Sequence, residues 1–463
     1  MIIKWKHYFN GKKLNFMHYF ILLIILPNII NCIIEVPIEI INIKSQNFHK
    51  NSPKIFIENG VTKINSQNLF LANIKIGSKS QVFRLILDTG SSLTWVADAE
   101  NQIDNFPKEA NLFDPKSSTS CIMIYQSFNI NYGTGSCSGY YYKDKIKYIN
   151  NKEFELKFGV VKNAKFDFSE ADGIIGLSRT NHDKSTSFIH MIYESKIIDS
   201  QSFSFKFASN NLYLPMGKLF IGKHEDFSKK DAFNCSLLDD NFGDSYYWTC
   251  KLKSFGLENN GERIVSSQSI SIIFDTGTNF IFLPYKYLND MEKDLNKVGC
   301  NIAKYDELDK EMSFDKFQNQ YRLVCSSNDL PQFLFVIGNT TFTLPSSLTF
   351  YINGNHAYSY ILFIKKDNDI NPYIFGTPFF MSFHTLFNDE EKKLEFYPLD
   401  KKYIINNEPN DNLKYAFIII SLILLWIILF YMIYLFIKWK KENSSDDYQS
   451  ILPNDINIEL SNK

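Results

Sequence analysis

Hydrophobic and polar positions alternate in short runs along much of this chain. Leu69 to Ile76 alternates and stops at Gly77, and Val82 to Leu87 follows as a second run. Phe128-Asn129-Ile130-Asn131-Tyr132 alternates and then turns at Gly133-Thr134-Gly135-Ser136. Phe203 to Phe207, Lys218 to Gly222 and Leu394 to Tyr397 repeat the pattern. A period of two bounded by turn residues predicts half-buried strands, and the glycine-rich turn after Tyr132 predicts a hairpin able to bend over a cleft. The fold class expected is all-β.

Two apolar runs end alike. Leu85-Ile86-Leu87 runs into Asp88-Thr89-Gly90-Ser91-Ser92, and Ser271-Ile272-Ile273-Phe274 runs into Asp275-Thr276-Gly277-Thr278. Each aspartate should leave a buried strand on a tight loop. Burying a lone carboxylate is costly, so two such loops invite a common explanation. If they meet, the carboxylates cannot both ionise, and one proton is held between an acid and a base. A later pair of segments strengthens the repeat. Ala171-Asp172-Gly173-Ile174-Ile175-Gly176-Leu177 follows the first aspartate, and Tyr373-Ile374-Phe375-Gly376 follows the second. Each half therefore reads Asp-Thr-Gly, then two apolar residues and Gly.

Size and composition narrow the picture. A chain of 463 residues exceeds one core, so two lobes are expected. A formal charge of −1 without a basic stripe argues against a nucleic-acid partner. Abundant Phe and Tyr favour strands. No His/Cys/Asp cluster has metal-ligand spacing, so neither metal nor cofactor is expected.

The ends carry targeting patterns. Lys4, Lys6, Lys12 and Lys13 precede an apolar stretch from Phe16 to Leu26, the order of a signal peptide over residues 1–32, with an uncleaved signal anchor as the alternative. Without Cys32, six of the seven cysteines remain, an even number suited to an oxidising compartment. Cys235 and Cys250 flank a loop and suggest a staple between antiparallel strands. Asn234-Cys235-Ser236 and Asn339-Thr340-Thr341 are glycosylation sequons. A hydrophilic linker, 399–414, leads to an uncharged apolar run, 415–437, long enough to cross a bilayer. Lys438, Lys440 and Lys441 follow at once, which puts the tail, 438–463, in the cytosol and makes the chain a single-pass type I membrane protein. Tyr448-Gln449-Ser450-Ile451 resembles a tyrosine sorting signal.

With both Asp-Thr-Gly copies and the Tyr132–Ser136 turn in hand, residues 68–398 resemble the pepsin-like aspartic proteases. The resemblance implies a bilobal acid-protease fold with the lobe boundary near 215–250. It implies a polypeptide substrate, a monomer, and an aspartic endopeptidase that activates water between Asp88 and Asp275. Thr89 and Thr276 would lock the loops together, Gly90 and Gly277 leave room, and Ser91 and Thr278 would hydrogen-bond the outer carboxylate oxygens, with Asn279 where Ser is common. Tyr132, Gly133 and Thr134 would form the flap, with Tyr132 hydrogen-bonding toward Trp95. Ile86, Ile174 and Ile273, with Ala171, would line central subsites for apolar side chains. An acid often follows the second Ile-Phe-Gly in the family; here it is Thr377. Cys300 and Cys325 sit where the family's C-terminal lobe carries a disulfide, and Cys121 is the nearest candidate partner for Cys137 inside the flap. Residues 33–67 would be a prosegment whose Lys44, Lys50, Lys54 and Lys63 pair with acids, making the protein a zymogen; a retained leader is the alternative. The resemblance also suits a secretory or endolysosomal membrane or the cell surface, with the catalytic region lumenal. The competing functions are a catalytically inactive peptide-binding module on the same fold, or a membrane receptor in which the motifs are incidental turns.

Overall fold

The computed structural model describes residues 34–42, 57–58, 61–62, 68–100, 110–132, 135–147, 153–165, 171–179, 184–207, 216–222, 233–238, 241–242, 245–305, 319–365, 373–398 and 431–439. The chain divides into two units, Met1–Leu399 and Asp400–Lys463. Within the first, strands dominate, and the helices described are short, such as Phe188–Glu194 and Tyr285–Met291.

The alternating runs become the strands they predict. Leu69 to Ile76 lies in strand Asn68–Ile76, and Val82 to Leu87 in strand Gln81–Asp88, joined by a tight turn through Gly77 at φ +80°. The hairpin arms are longer than the clean alternation suggested. They span Ile122–Tyr132 and Gly135–Lys147, and the register slips between Ile124 and Ser127. That irregularity breaks the period of two, which is why only Phe128 to Tyr132 was legible.

Two large sheets carry the fold. A 13-stranded sheet runs in the order 233–236, 393–398, 383–388, 202–207, 216–221, 34–42, 68–76, 81–88, 173–176, 95–97, 153–164, 135–147, 122–132. An 11-stranded sheet gathers strands between Thr249 and Phe375. The boundary expected near 215–250 is therefore not a clean cut. The chain's later strands Phe383–Asn388 and Lys393–Pro398 return to the first sheet and pair beside Ser202–Phe207.

Aromatic packing fills the core between the sheets. Phe274, directly before Asp275, contacts Phe375, Phe379 and Phe396. Phe203 stacks on Phe387 at 4.7 Å, and Trp248 packs edge-on to both. Such pairs add roughly 0.5–1.5 kcal/mol each beyond the area they bury.

Two of the three expected disulfides are present, Cys235–Cys250 and Cys300–Cys325. Cys300 and Cys325 lie directly opposite on antiparallel strands. Cys235 and Cys250 differ from the expected staple, because Phe233–Ser236 belongs to the first sheet and Thr249–Asn259 to the second, so this bond ties the sheets together. The expected Cys121–Cys137 bond is absent, and both thiols are free. The hairpin register explains it. Cys137 pairs with Ile130, whereas Cys121 precedes Ile122, which pairs with Lys143. At about 3.3 Å per residue the two cysteines stand roughly 25 Å apart along the arms, far beyond disulfide reach.

The signal segment 1–32, the linker 399–414 and the greater part of the tail lie outside the described residues, as do Lys44, Lys50, Lys54 and Lys63. Of the 415–437 run only 431–437 are described, within an exposed helical stretch, 431–439. Among the described residues no helix is long and apolar enough to cross a membrane. Asn234 and Asn339 are both exposed.

Candidate active site

Each aspartate is delivered as the apolar runs predicted. Asp88 ends strand Gln81–Asp88, and Asp275 directly follows strand Ile270–Phe274. The two repeat segments hold these strands in place. Gly173–Gly176 runs parallel to the first, with Gly176 opposite Asp88, and Tyr373–Phe375 runs parallel to the second, with Phe375 opposite Phe274. The Leu177 N–H then donates to the Asp88 carbonyl at 2.8 Å, and the Asp275 N–H to the Phe375 carbonyl at 3.0 Å.

The loops lock to one another through their threonines. The Thr89 N–H donates to Thr276 Oγ1 at 3.0 Å, and the Thr276 N–H to Thr89 Oγ1 at 2.9 Å. Each hydroxyl then donates onward, Thr89 to the Phe274 carbonyl at 2.8 Å and Thr276 to the Leu87 carbonyl at 2.7 Å. Both threonines are fully buried. Four reciprocal bonds between segments so distant in sequence leave little freedom to the carboxyls they carry.

Those carboxyls meet. A Cβ added to Gly90 would stand 2.6 Å from the Asp275 carboxyl carbon, and one added to Gly277 would stand 2.6 Å from that of Asp88. Each glycine thus faces the other loop's acid, at a distance no larger residue allows. The Gly90 and Gly277 N–H groups each donate to Oδ1 of their own aspartate at 2.8 Å. Thr278 Oγ1 donates to Asp275 Oδ2 at 2.6 Å, and the Ser91 hydroxyl donates to Asp88 Oδ2. Asp88 is buried and Asp275 half-buried. Burial first, and then the neighbouring Asp275 charge, hold the Asp88 pKa well above the ordinary carboxylate value. Asn279 stands beside this loop with its Oδ1 buried and without a hydrogen-bond partner among the described residues.

Tyr132 ends the strand Ile122–Tyr132 and meets Trp95 there. Trp95 Nε1–H donates to the Tyr132 hydroxyl at 2.9 Å, and Ser91 lies near the phenol. Burial pushes the Tyr132 phenol well up, so it stays neutral. Gly133 and Thr134 lie outside the described residues. Cys137 is buried in the cluster that includes Trp95, with burial pushing its thiol up to about 12. Ile174 belongs to that cluster and Ile86 packs against it. Ala171 is buried with Leu69 and Leu71. Ile273 is buried in the second strand, opposite Ile374.

The sequence reading missed Trp248. Its backbone carbonyl accepts from the Phe274 N–H at 2.9 Å, and its indole N–H donates to the Leu177 carbonyl at 2.9 Å. It therefore braces the strand behind Asp275 against the residue that binds Asp88. Its only local signal, Tyr247-Trp248-Thr249-Cys250, reads as the flank of a disulfide. Among the described residues no group of His, Cys, Asp and Glu is arranged to hold a metal ion.

Two carboxyls brought this close, one with its pKa raised, can serve together as acid and base. Residues 69–399 match the family model of the eukaryotic aspartyl proteases, and the chain belongs to that family. It is an aspartic-type endopeptidase of the pepsin-like kind. It is 26% identical to gastricsin of Oryctolagus cuniculus over 71% of this chain and 80% of the relative. It is 27% identical to plasmepsin IV of Plasmodium falciparum (isolate 3D7) over 71% of this chain and 69% of that protein.

Proposed function

We propose that the chain hydrolyses peptide bonds between large apolar residues with Asp88 and Asp275 as the catalytic pair. The observation that carries this reading is the mutual approach of the loops, each glycine facing the opposite carboxyl. In the resting pair Asp88 holds the shared proton, favoured by its burial and by the Asp275 charge. A water between the carboxyls loses a proton to the ionised one as it attacks the scissile carbonyl carbon. The protonated carboxyl gives its proton to the carbonyl oxygen, forming a neutral diol. A proton then passes to the amide nitrogen, and the C–N bond breaks. The proton moves within a coupled pair, so neither residue owns one role.

Ile86 and Ile174, packed with Trp95 on the side of Tyr132, support an apolar subsite, because such walls leave a charged side chain desolvated. The purified full chain in detergent, given a random peptide library, tests both parts. Cleavage blocked by a pepstatin-type inhibitor, with apolar residues on both sides of the cut, is expected. A charged residue favoured at the cut would overturn the pocket reading alone, and no inhibitor-sensitive cleavage would overturn the catalytic one.

The charge order of residues 1–32 and the uncharged 415–437 run before Lys438 support a type I anchor with the catalytic region lumenal, in the secretory or endolysosomal system or at the cell surface. The exposed Asn234 and Asn339 suit glycosylation there.

A further inference from the structure

The Asp88 backbone belongs to a closed ring of hydrogen bonds that runs through both catalytic strands. The Asp88 carbonyl accepts from the Leu177 N–H at 2.8 Å, and the Leu177 carbonyl accepts from the Trp248 indole N–H at 2.9 Å. The Trp248 carbonyl accepts from the Phe274 N–H at 2.9 Å, and the Phe274 carbonyl accepts from the Thr89 hydroxyl at 2.8 Å. Thr89 follows Asp88 in the chain, so the ring closes. Trp248 spans the two sheets within it. Its backbone leads into strand Thr249–Asn259 of the second sheet. Its ring packs edge-on to Phe203 and Phe387, which lie on strands of the first sheet. Trp248 and Leu177 are 2% and 1% exposed, so solvent does not stand ready to replace a lost partner. Among the described residues the second aspartate has no such ring. Thr377, directly after Gly376, donates its N–H to the Thr278 carbonyl at 2.8 Å, as Ser178 does to the Ser91 carbonyl at 2.9 Å. Leu177, between Gly176 and Ser178, has no equivalent there.

We infer that Trp248 is a positioning residue for the catalytic pair: its indole N–H fixes the segment that grips the Asp88 loop and so sets how closely Asp88 approaches Asp275. The inference rests on the reading of these two acids as the catalytic pair. Leu177 and Ser178 hold the loop at both ends, one through the Asp88 carbonyl and the other through the Ser91 carbonyl. The peptide unit between them offers the Leu177 carbonyl to Trp248 and the Ser178 N–H to Ser91. Without the indole donor that carbonyl is buried and unpaired, and the peptide unit relieves it by turning. Any such turn pulls on Ser91, whose hydroxyl donates to Asp88 Oδ2. The carboxyls leave no slack for this, since a single Cβ at Gly90 would already stand 2.6 Å from that of Asp275. A loop released from its grip lets the acids part, and the Asp275 charge then raises the Asp88 pKa less. Asp275 and the Tyr132 phenol, which burial keeps neutral, are the titratable groups acting with Asp88 among the described residues. Leu177 and Trp248 carry no charge of their own.

The test removes the N–H and keeps the ring. Replacing Trp248 in the full chain with benzothienylalanine puts sulfur where the indole N–H stands and preserves the packing on Phe203 and Phe387, so it folds where Trp248→Phe fails to. Phe387→Leu is the control, because it loosens the same packing and leaves the hydrogen bond in place. With an apolar peptide substrate, the benzothienylalanine chain is expected to show kcat lower by about tenfold, the scale of a small misplacement of reacting groups. KM should stay within about twofold, and the alkaline limb of the pH–rate profile should move to lower pH. Phe387→Leu should lower the melting temperature and leave that limb where it was. A second readout needs no turnover. The part of the melting-temperature fall with rising pH that Asp88→Asn removes should begin at lower pH in the benzothienylalanine chain, because a less raised pKa gives up its proton sooner. A parent chain that cleaves nothing would defeat the catalytic reading, and this titration would still decide the role of Trp248. A titration that stays at the parental pH would overturn the inference, whatever happens to turnover or to stability, and would leave Trp248 as core packing.

Discussion

The loop around Asp88 and the loop around Asp275 share a backbone and differ in their surroundings. Both follow an apolar strand, both are held by a parallel neighbour, and their threonines exchange the same four hydrogen bonds. Above them the likeness ends. Asp88 is buried, and Ser91 below it is linked to a roof of Tyr132 and Trp95. Asp275 is half-buried and has Thr278 and Asn279 beside it. The repeat supplies the geometry that brings two acids together, and the unequal surroundings decide where the shared proton rests. A site built from two identical halves would leave that proton without a preferred partner.

The strongest way to break the comparison is to remove either acid. Asp88→Asn and Asp275→Asn should each lower turnover by about a thousandfold or more, since general acid–base catalysis needs both members. Circular dichroism should show both variants folded. If one variant kept near-normal turnover, the pair would not be the catalytic unit.

Next in size are the glycines. In Gly90→Ala or Gly277→Ala the new methyl meets the opposite carboxyl at 2.6 Å and forces it aside. A displacement on that scale should cost about a hundredfold in kcat. The comparison predicts equal penalties for the two variants, and a penalty at only one position would show that the carboxyls do not face each other symmetrically.

The threonines test stability instead of rate. Thr89→Val strands the Phe274 carbonyl and the Thr276 N–H, and Thr276→Val strands the mirror pair. Each should lower unfolding free energy in urea by about 1–3 kcal/mol, and the double variant by less than the sum, because the bonds form one network. Additive losses would mean the two sides act independently.

How much of this was legible in the sequence follows from the same contrast. The alternating strands, both aspartates, their threonines and glycines, Tyr132 and Trp95 were readable, because each depends on local pattern or on motif resemblance. Features that depend on which distant strands become neighbours were not. Cys121 and Cys137 are close in sequence but sit at opposite ends of a long hairpin. Trp248 looks like a disulfide flank until Leu177 is brought beside it. Strand Ile34–Asn42 lies in a stretch with little clear period, and its place in the sheet shows only from its two partners.

Protonation gives a sharper test. The Asp88 pKa is raised in the folded chain above its reference value of 3.8 by burial and by Asp275. The folded state therefore binds this proton more tightly than the unfolded state. The resulting stability is fully present below the unfolded value and is lost as pH rises through the raised one. Melting temperature measured against pH should fall across that window, and Asp88→Asn should flatten the fall. A wild-type melting temperature that climbs there instead would contradict the assignment of the proton to Asp88.

The smallest expected effect separates the two hydroxyl partners. Ser91 donates to Asp88 Oδ2 and stabilises the ionised form, so it pulls the Asp88 pKa down against burial. Ser91→Ala removes that pull, and the alkaline limb of the pH–rate profile should move upward by about one unit, the worth of a hydrogen bond to a charged group. Ser91 also lies near Tyr132, so the same change loosens the roof and should raise KM a few-fold. Thr278 donates to Asp275 Oδ2, and among the described residues no tyrosine is hydrogen-bonded to it. Thr278→Val should therefore leave KM close to the parent value while still altering the profile of the coupled pair. Equal rises in KM for both variants would mean that the flap rests on both loops, and the asymmetry drawn between them would not hold.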